Sequence, residues 1–249
     1  MPDPVPGSRD QNLRGEAPGR LRRRDVPYMP MPRTLLWLAG GVALIELVLS
    51  LADRGILGES TLRLRVFEVG AFWPQLLHGA QPIFAAQPAT MFLSHAMLHG
   101  GILHMAMNMT ILLALGRFVS DRYGEGPILP LFAAGAVAGA AMFGLLSPQP
   151  IPMVGASGAV FAFLGLWIAW DWRRHRANRV PVRPVATRVA VLAGLNVVFY
   201  FALGGLLAWE AHLGGFLVGL LAGKLLEDRI ETRERAERRR RARASVDGE

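Results

Sequence analysis

Three short polar clusters interrupt long apolar stretches, and their residue types are those of an acyl-transfer site. The segment HAMLHGGILHMAMN brings His95, His99, His104 and Asn108 together. The tetrapeptide GASG, Gly155 to Gly158, supplies Ser157, and the segment AHLGGFLVG carries His212 ahead of Gly215 and Gly219. A serine hydroxyl is a poor nucleophile until a base takes its proton, and neutral imidazole is the usual base. Ser157 and His212 are therefore the candidate nucleophile and base. His104 and Asn108 lie four residues apart, on one face of a helix. Both can donate to a developing oxyanion, alongside the backbone N–H of Ser157 at a helix N-terminus. Phe161, one turn below Ser157, is in position to stack on the imidazole and orient it, since no acid stands in an obvious place to do so.

Taken singly, each feature has an ordinary explanation. A serine at a Gly-rich helix start commonly caps or packs, and a lone histidine in an apolar helix commonly makes one structural hydrogen bond. Their joint occurrence at the starts of three apolar stretches is what points to chemistry. Other hydrolytic chemistries lack their residues. A di-aspartyl site needs two Asp within apolar stretches, whereas Asp53, Asp121, Asp171 and Asp228 lie at edges. The His-Glu-x-x-His zinc motif is absent, and no acid lies among His95, His99 and His104, so no metal site is expected. The chain has no Cys, which excludes thiol catalysis, iron–sulfur clusters and Cys-based zinc sites. No cofactor is expected.

The elements that must position these groups follow from composition. The chain is 52% hydrophobic and 18% charged, whereas roughly a quarter of residues are charged in soluble domains. Apolar stretches near the roughly 20 residues that cross hydrocarbon run over about Leu35–Ala52, Met91–Phe118, Ile128–Leu146, Gly155–Trp172, Val189–Leu207 and Ala211–Leu226. In lipid every backbone polar group must be paired within its own segment or a closed barrel, and no segment alternates with the period of a barrel strand. The expected fold is an all-α membrane protein, a bundle of six transmembrane helices. Small residues let two backbones approach: Gly155, Gly158, Ala162 and Gly165 in the fourth stretch, Ala211, Gly215 and Gly219 in the sixth. That approach would bring Ser157 within reach of His212. Glu46, inside the first stretch, is expected either to face a polar partner in the bundle or to line a water-accessible cavity.

Charge sets the expected orientation. The net charge is +8, and all but one of the 27 basic residues are Arg. They cluster before the first stretch (Arg9, Arg14, Arg20, Arg22, Arg23, Arg24, Arg33), after the second (Arg117, Arg122), after the fourth (Arg173 to Arg188) and in the tail from Arg233 to Arg243. The loops after the third and fifth stretches carry no basic residue. The positive-inside rule therefore puts both termini in the cytoplasm and the polar clusters at the other face. The expected organisation is a flexible basic segment over 1–33, a membrane domain over 34–227 with a long non-cytoplasmic loop over 53–90, and a basic cytoplasmic tail over 228–249. The Arg runs read as topology signals that also attract anionic membrane lipid, not as a nucleic-acid surface.

The motifs His-x-x-x-Asn, Gly-Ala-Ser-Gly and Ala-His-x-x-Gly-x-x-x-Gly, one on each of the second, fourth and sixth stretches, resemble those of the rhomboid intramembrane serine proteases over about Leu35–Leu226. The resemblance implies a Ser157–His212 dyad, with His104 and Asn108 at the oxyanion hole. It further implies hydrolysis of a peptide bond in or beside the transmembrane helix of single-span or other membrane-protein substrates. His95 and His99 match positions with structural roles. Thr90 and Met91 stand where many relatives carry Trp-Arg, and Phe161 where some carry Tyr. The expected setting is a bacterial inner membrane, with the site opening to the non-cytoplasmic side. The alternative is a non-proteolytic rhomboid-like protein that binds membrane clients. Such relatives typically lose the Ser or the His, and this chain keeps both.

Overall fold

Each of the six apolar stretches holds α-helix over most of its length in the computed structural model, which describes residues 30–58, 60–147 and 151–246. Of the expected flexible segment over 1–33, residues 1–29 lie outside the described residues, as do the last three residues of the tail, while Arg33 begins the first helix. The helices are α1 (Arg33–Asp53), α2 (Leu62–Gly70), α3 (Gln87–Ser94), α4 (Ile102–Tyr123), α5 (Ile128–Leu146), α6 (Ser157–Ala177), α7 (Arg183–Ala202) and α8 (Trp209–Val246). Among the described residues the β pairing is a single bridge between Phe72 and Met153. By length and composition α1, α4, α5 and α7 can each cross a membrane. The other two long helices run on into charge: α6 ends through Asp171, Arg173, Arg174 and Arg176, and α8 continues past Glu227. The helix α8 runs on through the start of the expected tail at 228 and reaches Val246, 38 residues in all.

The second stretch departs from expectation. Met91–Phe118 is not one helix: α3 stops at Ser94, a 3₁₀ turn covers His95–Met97, and α4 starts only at Ile102. Gly101 has φ of 143°, a conformation that side-chain-bearing residues rarely adopt. The backbone freed by the break is paired elsewhere. His95 O accepts from Gly155 N at 3.0 Å, and His99 O accepts from Arg63 Nη1 at 2.6 Å. Irregular backbone at membrane depth persists only where it is satisfied in this way.

Glycines set the core. A Cβ built on Gly139 of α5 would lie 3.2 Å from Gly158 Cα of α6 and 3.0 Å from Ala211 O of α8. Three helices therefore meet backbone to backbone at that level. On α8, Gly215, Gly219 and Gly223 face Gly158, Ala162 and Leu166 of α6 in turn, so α6 and α8 run parallel. Gly135 against Ala162 and Gly139 against Gly158 make α5 antiparallel to both. At the far end of α4, α6 and α8, Phe118 packs on Trp170, Arg122 and Tyr123 bind Glu227, and Arg173 binds Asp228 and Glu231. By contrast, Val185 is the one buried residue of α7. An apolar cavity of about 460 Å³ separates α7 from Phe161 on α6 and from Trp209 and Phe216 on α8.

Candidate functional site

The parallel run of α4, α6 and α8 gathers their N-terminal ends: His104 in the first turn of α4, Ser157 as the first residue of α6, and His212 in the first turn of α8. Local sequence explains the entry to α6. Gly155 has φ of 126°, and a Cβ there would fall 2.8 Å from His104 Cε1, so the His104 ring rests on bare backbone. The next residue, Ala156, donates its N–H to His99 Nε2 at 3.3 Å. His95, whose Nδ1–H donates to Met91 O at 2.9 Å, is buried beside it. His95 and His99 thus hold the GASG turn against the broken second stretch.

Glu46 has its partner in the first loop. Arg63, on α2, donates to both Glu46 carboxylate oxygens at 3.0 and 2.9 Å, to Asp53 Oδ2 at 2.7 Å and to the His99 carbonyl. Ser50 Oγ donates to Glu46 Oε1 at 2.8 Å. One guanidinium therefore ties the first loop to α1 and to the segment that supports Ala156.

At the base, the Phe161 ring stacks on His212 with centroids 4.2 Å apart and planes within 6°. Asn196 on α7 places Oδ1 2.5 Å from His212 Nδ1. Sequence reasoning missed Asn196, although a strongly polar side chain in the middle of the apolar stretch Val189–Leu207 was a usable signal. Asn108 is buried and donates Nδ2 to His104 O at 2.9 Å, leaving its second amide hydrogen uncommitted to that bond. Ser157 is half-buried, and the structure records no direct hydrogen bond from its Oγ to His212. The Ser157 N–H belongs to a first helical turn, whose N–H groups have no partner within the helix. The arrangement offers a hydroxyl, an oriented imidazole and several amide or ring donors at one end of three helices, with mostly apolar walls below.

Four helices long and apolar enough to cross a membrane, in an all-helical fold, mark a helical integral membrane protein. The chain belongs to the rhomboid family: the family model described as Rhomboid domain matches residues 87–229, more than half of the chain and all three polar clusters. Among its relatives, the Rhomboid protease GluP of Bacillus subtilis is 32% identical over 136 residues, 54% of this chain and 25% of that protein. RHOMBOID-like protein 4 of Arabidopsis thaliana is 35% identical over 132 residues, 52% of this chain and 32% of that protein. The Rhomboid protease GlpG of Yersinia enterocolitica is 31% identical over 132 residues, 52% of this chain and 45% of that protein. The matched stretch thus spans less than half the length of each of these three relatives.

Proposed function

We propose that the protein is an intramembrane serine protease that cleaves a peptide bond in or beside the transmembrane helix of membrane-protein substrates. Ser157 Oγ attacks the scissile carbonyl while His212 Nε2 takes its proton. The oxyanion is held by Asn108, His104 and the Ser157 N–H. Collapse releases the amine with the proton that His212 returns; water, giving its proton to His212, then attacks the acyl carbonyl, and Ser157 Oγ leaves with that proton as the acid product is freed. The observation that carries this reading is the three-helix contact of Gly139, Gly158 and Ala211, which brings the Ser157 and His212 turns as close as backbones allow. The relatives named as proteases support it at the level of the family.

In this reading α1, α4, α5, α6, α7 and α8 are the six spans, both termini are cytoplasmic, and the site opens to the opposite face of a bacterial inner membrane. The test is reaction of the purified chain with a fluorophosphonate probe, paired with cleavage of a model single-span substrate. Both should vanish in Ser157→Ala with unfolding unchanged, and neither should respond to chelators. Cleavage that persists in Ser157→Ala would overturn the serine mechanism. A folded wild-type chain that neither labels nor cleaves would instead favour a client-binding protein.

A further inference from the structure

We infer that Asn196 is the positioning residue that holds His212 in the one tautomer the chemistry can use. The inference rests on the Ser157–His212 reading above. It starts from a second bond of the same side chain: Asn196 Nδ2 donates to the Leu192 carbonyl at 2.9 Å. A carbonyl only accepts, so this contact fixes which end of the amide is nitrogen. The atom 2.5 Å from His212 Nδ1 is therefore the amide oxygen, which also only accepts. The proton between them must sit on Nδ1. A neutral imidazole has a single N–H, so Nε2 is left with its lone pair, ready to take the proton of Ser157.

Two contacts then divide the work of orientation. Stacking on Phe161 fixes the plane of the ring, with 6° between the planes. Stacking alone leaves the ring free to turn over within that plane, which would exchange Nδ1 with Cδ2 and Nε2 with Cε1 and so carry both nitrogens to the wrong edge. The bond to Asn196 removes that freedom and selects the tautomer together. Its surroundings strengthen it, because a hydrogen bond in a low-dielectric site is stronger than one in water: the cavity beside the pair is walled by side chains such as Leu192, Val197 and Phe216. After proton transfer the same oxygen still accepts from Nδ1–H, so the contact serves the imidazolium as well. Being neutral, Asn196 orients the base without adding a carboxylate to the site. It occupies the third place in a nucleophile–base–orienter series, and it reaches the site from α7, which contributes neither reacting group.

The experiment uses the full chain in bilayers, with Asn196→Leu, which removes the acceptor at similar size, and Asn196→Asp, which keeps an oxygen at the same reach. Probe acylation at Ser157, kcat and KM are measured, and the His212 nitrogens are observed by ¹⁵N NMR. Asn196→Leu should slow acylation and kcat by roughly 10- to 100-fold with KM little changed, as expected for a misplaced catalytic group. Its His212 should show mixed tautomers where the wild type shows Nδ1–H. Asn196→Asp should restore most of the rate. Wild-type acylation in folded Asn196→Leu would overturn the inference. So would equal losses in both variants with the ring still Nδ1–H, since Asn196 would then only hold α7 in place. A wild-type His212 found as Nε2–H overturns it as well. A wild type that fails to acylate, yet shows Nδ1–H that Asn196→Leu disturbs, would sink the protease reading and leave the tautomer assignment standing.

Discussion

Gly215 is the position where packing and chemistry are most tightly joined, and the smallest possible substitution there is informative. A Cβ on Gly215 would overlap the Gly158 carbonyl oxygen and would lie 2.8 Å from Gly158 C and 3.1 Å from Gly158 Cα, all backbone atoms that no rotamer change can move. Carbon atoms pack at about 3.5 Å or more, so α6 and α8 must separate by something on the order of 1 Å at this level. Gly158 follows Ser157 in sequence, and Gly215 lies one turn after His212. Nearly the whole displacement is therefore applied to the Ser157–His212 gap. A misplacement of about 1 Å can cost about 100-fold in rate, whereas overpacking costs about 1–3 kcal/mol of stability. Gly215→Ala should thus insert and fold, unfold at lower temperature, and acylate with a fluorophosphonate about 100-fold more slowly. Gly215→Val should be worse on both counts. Gly194→Ala on α7, where a Cβ meets nothing within 4 Å, is the matched control and should leave acylation unchanged and thermal unfolding the same or slightly higher, since Ala favours a helix over Gly. Wild-type acylation by folded, monodisperse Gly215→Ala would refute the argument, because the helices would then have separated without moving the base.

Removing one oxyanion donor typically costs about 100- to 1,000-fold in kcat, so Asn108→Ala and His104→Ala should each lower turnover with little change in KM. A change confined to KM would assign them to substrate docking. The Glu46 side chain is 1% exposed and that of Arg63 14% exposed. Arg63→Met should therefore destabilise by about 3 kcal/mol in thermal unfolding, the lower end for breaking a buried pair, and adding Glu46→Gln should recover part of it. A double variant no more stable than Arg63→Met would show that Glu46 does not need its partner. A reporter fused after Arg176 should read as cytoplasmic and one fused after Ser147 as facing the other side. The reverse pair of results would overturn the proposed orientation.

Sequence and structure agree most closely where information is local. Ser157, His104 and His212 sit at helix starts because GASG, the Gly100-Gly101 pair and the Gly204-Gly205 region all interrupt apolar runs. The four-residue spacing of Gly215 and Gly219 is itself the α6–α8 contact, read along one helix. The break between α3 and α4 was hidden because the residues on both sides are equally apolar, and hydropathy carries no record of φ at Gly101. Glu46 and Arg63 are separated by 17 residues and a turn of chain, so nothing in either neighbourhood names the other. Asn196 and His212 are 16 apart on different helices, and their meeting depends on how α7 leans, which no periodicity encodes. The continuation of α8 to Val246 was masked by charge: an Arg- and Glu-rich run reads as a solvated tail, yet both residues are good helix formers.

The loose seating of α7 has a thermal consequence. Among the described residues α7 is tied by Arg188, which pairs with Asp171 and lies over the Trp167 ring, near its start, and by the bond of Asn196 to His212 farther along, while the cavity lies beside it and Val185 is its one buried residue. Segments with few buried contacts open locally at a small fraction of the global unfolding free energy. On warming, α7 should therefore come away while the interlocked glycines of α5, α6 and α8 still hold. If Asn196 orients the base, catalytic competence then has its own melting point, below that of the bundle. Heat would switch the protein off reversibly, with its helices intact and its nucleophile still in place.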